Sequence, residues 1–75
     1  MPVLKFRSQD EVEKLLDELK EKVYDVDCDG ELLKMKPDKV WVIKPPHIPI
    51  HTVMALFRCP DGRKVRMAVA KFIIV

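Results

Sequence analysis

Asparagine is absent from this 75-residue chain, and glutamine, serine and threonine each occur once, as Gln9, Ser8 and Thr52. Glycine is nearly as scarce, with Gly30 and Gly62 alone. Two separated glycines, each in a turn, leave no Gly-rich loop to cradle a phosphate. Hydroxyl nucleophiles are poorly supplied, because Ser8 stands where a helix cap belongs and Thr52 is the single threonine. A Cys59–His51 pair lacks both an orienting third group and an oxyanion loop. These shortages argue against an enzyme and imply no cofactor. No window approaches the ~18 apolar residues of a membrane span. The opening Met-Pro-Val-Leu-Lys-Phe-Arg is too short and too interrupted for a signal peptide, so an intracellular, cytoplasmic protein without a membrane partner is expected.

Cysteine is limited to Cys28 and Cys59, with no Cys-x-x-Cys spacing. A zinc site would need Cys28, His47, His51 and Cys59 to converge. Buried free thiols are the expectation, since unpaired Cys is among the most buried residue types. A disulfide is expected only in a hyperthermophile. Missing Asn and 35% charged residues lean in that direction. Asp25, Asp27 and Asp29 alternate like the start of a calcium loop, but Lys36 occupies the place of its closing Glu. Solvent-facing carboxylates on a strand are the reading, and no metal is expected.

What the chain does have is a divided charge. Residues 1–32 carry five Lys/Arg against ten Asp/Glu, a balance of −5, and residues 33–75 carry nine against two, a balance of +7. A polyanionic partner would therefore meet the second half.

The hydrophobic pattern predicts one domain over 1–75, of α+β class, with helix 9–22 and a β part over 23–75. Ser8-Gln9-Asp10-Glu11 has the form of a capping box. Val12, Leu15, Leu16, Leu19 and Val23 then recur at helical spacing as one packing stripe. Strands are expected at 24–28 and 31–36, joined by the two-residue turn Asp29-Gly30. Further strands are expected at 39–44, at 51–58, and from Arg63 almost to Val75 with a bend near Ala68-Val69-Ala70. Val3 to Phe6 is a candidate short strand before the helix. Five strands with tight turns suit a small, strongly curved sheet or barrel.

Binding chemistry concentrates between Lys39 and Met67. The only Trp lies on a strand apolar on both faces, with Val40 and Val42 pointing one way and Trp41 and Ile43 the other. A chain this short has room for one core, so one of those faces is either surface or covered by something else. Lys39, Lys44, Arg58, Arg63, Lys64 and Arg66 lie close in sequence to Trp41, Ile43, Pro45 and Leu56. Cations around exposed apolar side chains suit a nucleic-acid backbone, with wedges that press between bases. Trp41 as core beneath the helix is the competing reading.

The pieces Asp29-Gly30, Pro37-x-Lys39-Val40-Trp41, Pro45, Leu56-Phe57, Pro60 and Gly62-Arg63-x-Val65-Arg66 resemble the small crenarchaeal chromatin proteins. The resemblance runs from about Val26 to Met67. It implies an SH3-like barrel whose triple-stranded sheet lies on the DNA minor groove. It also implies DNA contacts at Lys39, Trp41, Ile43, Pro45, Leu56, Phe57 and Arg66. The N-terminal helix has no counterpart in that pattern, and the apolar end Phe72-Ile73-Ile74-Val75 departs from it. Three functions remain open at this level. The first is a duplex-DNA-binding architectural protein on the chromosome. The second is an RNA-binding accessory ribosomal protein of an archaeal large subunit. The third is a protein-interaction module, pairing with a partner or a second copy through the C-terminal strand.

Overall fold

Pro37 sets the division of the β structure. It has no amide to donate, and the next residue, Asp38, gives its own to the Leu56 carbonyl at 2.7 Å. The chain thus leaves one sheet and enters another. The computed structural model describes residues 2–75. Its elements are β1 (Val3–Phe6), α1 (Gln9–Glu21), β2 (Tyr24–Cys28), β3 (Glu31–Met35), β4 (Lys39–Ile43), β5 (His51–Arg58) and β6 (Lys64–Ile74). The α+β class agrees with the sequence, but six strands in two sheets replace the five expected in one. One sheet has the order β1-β6-β5-β4, and β2 pairs with β3 in the other. The sixth strand is accommodated because the eleven-residue β6 offers a second edge. There Val3–Phe6 pairs in parallel with Lys71–Ile74.

Local chemistry explains most boundaries. Asp29 and Gly30 both have positive φ, 59° and 88°, as a type I′ hairpin turn requires. The Gly30 amide also donates to Asp27 Oδ1 at 2.8 Å. Val53 pairs with Ala70 but Met54 with Ala68, so Val69 is an extra residue in β6. This bulge is the expected bend, and such bulges increase local twist. The capping box forms only in altered shape. Ser8 makes no side-chain cap, and Glu11 instead accepts from the Arg7 amide at 3.3 Å. The helix stops at Glu21, and Val23, 50% exposed, falls outside the packing stripe.

The core lies on one face of the four-stranded sheet, called here the inner face. At one end Val12 and Leu19 of α1 pack with Val53, Ala70 and Phe72. At the other, Val26 of the β2–β3 hairpin packs with Ala55 and Phe57. Tyr24, Val40 and Val69 touch both clusters. The Tyr24 ring stands edge-on to Phe57, and burial pushes its phenol above the ordinary range.

Cys28 and Cys59 are bonded to each other, with Cα atoms 5.7 Å apart. This corrects the expectation of free thiols, and it removes both thiolates from any shared metal site. The two cysteines are brought together because the hairpin tip folds over the β5–β6 turn, a proximity that sequence separation conceals. Closing a loop of this length stabilises the fold by about 3–4 kcal/mol in the chain-entropy account. The bridge ties the hairpin layer to the four-stranded sheet.

Candidate nucleic-acid interface

Alternation along β4, β5 and β6 sends every second side chain to the face opposite the core. Ladder register then assembles this outer face row by row. Lys39 stands beside Leu56, and Leu56 beside Arg66. In the next row Trp41 stands beside Met54, and Met54 beside Ala68. Ile43, Thr52 and Lys71 make the third row. Arg58 and Lys64 close the end of the sheet beyond Leu56. The result is an apolar strip with cations at its margins.

Neither α1 nor the hairpin covers this face. Both pack on Val53, Ala55, Phe57, Ala70 and Phe72, on the other side of the sheet. Trp41 is half-buried by its sheet neighbours, and Ile43 is 44% exposed. The reading of Trp41 as core beneath the helix is thereby overturned. The helix needs β-branched and aromatic partners, and β5 and β6 present those on their inner side.

The cations divide into engaged and available groups. Arg58 Nε lies 3.2 Å from Asp38 Oδ2. Arg63 lies 3.2 Å from Asp29 and 3.3 Å from Asp61, which draws it toward the hairpin tip and away from the outer face. These pairs are exposed and individually weak, so Arg58 can exchange its partner for a phosphate. Lys39, Lys64 and Arg66 are exposed and have no ion-pair partner among the described residues. Lys44 and Pro45 follow Ile43 directly at the open β4 edge, Lys44 exposed and Pro45 half-buried.

Two expected contacts are less accessible than the sequence suggests. Leu56 is on the outer face but only 9% exposed, between Lys39 and Arg66 in its row. Long basic side chains commonly lay their methylenes over an apolar neighbour. Phe57 is fully buried in the inner core and cannot touch a ligand there, a correction to what the resemblance implied. Sequence reasoning also passed over Met54 and Lys71, the first as a generic strand residue and the second as part of an apolar tail. Register parity is the signal that places both. At the C-terminal strand one edge is taken by β1 as far as Ile74, and the other is paired with β5 as far as Phe72.

The fold and face together define a small α+β protein with one basic, apolar-centred sheet surface opposite a helix-covered core. Residues 20–72 match the family described as Chromatin protein Cren7. The chain belongs to that family. Chromatin protein Cren7 of Caldivirga maquilingensis is 42% identical over 50 residues, covering 67% of this chain and 80% of the relative. The Pyrobaculum neutrophilum protein of the same description is 39% identical over 57 residues, covering 76% and 95%. That of Pyrobaculum arsenaticum is 40% identical over 57 residues. No solved structure matches the chain. The matched range begins inside α1, so β1 and most of the helix lie outside it.

Proposed function

We propose that this chain is a duplex-DNA-binding architectural protein of chromatin, an SH3-like one-domain binding module and not an enzyme. It acts on the chromosome in the cytoplasm. The observation that carries this reading is the uncovered outer face, where Trp41, Met54 and Ile43 form an apolar strip edged by Lys39, Lys64 and Arg66. Cations neutralise phosphates and release counterions, which supplies most of the affinity. Trp41 and Ile43 then press into the minor groove and unstack a base step, bending the duplex over the sheet. Lys44, Pro45 and Arg58 extend the contact at its borders. Arg63 acts indirectly, by holding the hairpin tip to the β5–β6 turn.

Membership of a chromatin-protein family supports DNA over the alternatives. The RNA-binding ribosomal reading and the protein-interaction reading draw no support from it. A narrow apolar strip between basic margins also suits a B-form minor groove better than the wide, shallow groove of A-form RNA.

Trp41 is the only indole, so its fluorescence reports on this face directly. Titration with duplex DNA at several salt concentrations should change the emission and give an affinity that falls steeply with salt. Arg66→Ala should lower the slope of log affinity against log salt by about one unit. Tighter binding to structured RNA than to duplex DNA would overturn the proposal.

A further inference from the structure

Strand β1 is the part of the sheet that the family match leaves out. Its register fixes which way its side chains point. Leu4 is level with Phe72 and Phe6 with Ile74, and the Phe6 ring lies 5.7 Å from that of Phe72 in the core. Val3 and Lys5 therefore emerge on the outer face, beside Lys71 and Ile73 respectively. Lys5 is exposed, and Lys71 is half-buried. Neither has an ion-pair partner among the described residues.

The geometry points to a second phosphate clamp, formed by Lys71 and Lys5 at the opposite end of the apolar strip from Lys39, Lys64 and Arg66. Leu56 marks the first basic row and Thr52 the row of Lys71. Four residues of strand separate them, roughly 14 Å at the usual rise. The minor groove is about 6 Å wide before any wedge opens it. Adding the thickness of its two walls, a sheet with cations this far apart reaches both backbones. Trp41, Met54 and Ala68 form the row between the clamps, and Ile43 stands level with Lys71 at the β4 edge. One end holds one strand of the duplex, the other end holds its complement, and the apolar strip enters the groove between them. Strand β1 contributes twice, by supplying Lys5 and by fixing the end of β6 that carries Lys71.

This inference rests on the proposed duplex-binding face, and the experiment separates the two. Lys71→Gln, Lys5→Gln and the double variant would be compared with the unaltered chain in duplex-DNA titrations across a salt series. Lys34→Gln, an exposed substitution on β3 in the other sheet, serves as the control. Each clamp substitution is expected to reduce the salt slope by about one unit and the double by about two, while the control leaves it unchanged. Thermal melts confirm that the variants are folded, and the exposed Lys5 provides the reading if Lys71→Gln melts early. A normal slope in the Lys5 variant and in the double variant, with the unaltered chain still binding, would overturn the second clamp alone. Absence of duplex binding by the unaltered chain would overturn both the face and the clamp.

Discussion

Trp41 has a dual position, half-covered by its sheet neighbours and facing away from the core. Truncating it exposes no cavity beneath α1. Trp41→Ala should therefore cost ~1 kcal/mol or less of stability, as surface changes do. Removing a core Trp would instead cost ~3–5 kcal/mol. Duplex affinity should fall about tenfold or more, as it does when a central aromatic anchor is lost. A paired melt and titration reads both effects, and an early melt with unchanged affinity would return Trp41 to the core. At this scale the sequence was legible where chemistry is local. The Asp29-Gly30 turn follows directly from its residue types, and both residues have the positive φ that it needs. The Cys28–Cys59 bond was not legible, because it depends on the hairpin crossing the end of the sheet. Ser8 was misread as well. Its side chain makes no cap, and the Glu11 carboxylate accepts from the Arg7 amide, one residue earlier than a capping box requires.

Helix α1 and strand β1 show the limit of pattern reading for whole elements. Periodicity identified the stripe of Val12, Leu15, Leu16 and Leu19, but a stripe does not name the surface that it covers. The choice was made by β5 and β6, whose inner sides present Val53, Ala70 and Phe72, while the outer side carries Lys39 and Arg66. Covering the outer side would bury those charges without partners, a severe penalty. The helix is thus a lid on the core. Deleting residues 1–22 removes Val12 and Leu19 and exposes their partners, at ~1.5–3 kcal/mol for each buried side chain. A domain of this size has little stability in reserve. The truncated chain should lose its cooperative melt and bind a hydrophobic dye as expanded states do. A truncation that melts sharply and binds DNA more tightly would contradict the lid. Most strand ends were legible to within a residue, because Pro, Gly and Asp punctuate them. The partner of β1 was not, since it pairs in parallel with β6 across α1 and four intervening strands, and so distant a pairing leaves no local mark.

Charge is arranged by face as well as by position along the chain. The outer side of the sheet carries Lys39, Lys64, Arg66 and Lys71, and α1 on the far side carries Asp10, Glu11, Glu13, Asp17, Glu18 and Glu21 against Lys14 and Lys20. The molecule measures 18 Å along its shortest axis. Screening reaches about 8–10 Å in physiological salt. A duplex on the sheet is therefore little affected by the helix, but a second duplex approaching from behind meets a wall of carboxylates. A chromosome coated by this protein would be curved without being cross-linked, since every bound copy turns a repelling back to neighbouring DNA. Labelled duplex should not be retained on beads carrying a second, protein-coated duplex. Glu13→Lys with Asp17→Lys, on the helix side away from its packing stripe, should begin to retain it. Retention by the unaltered chain would mean that the helix is not a barrier. On this geometry the acidic helix would keep neighbouring segments of the genome apart while the proposed sheet face held one of them.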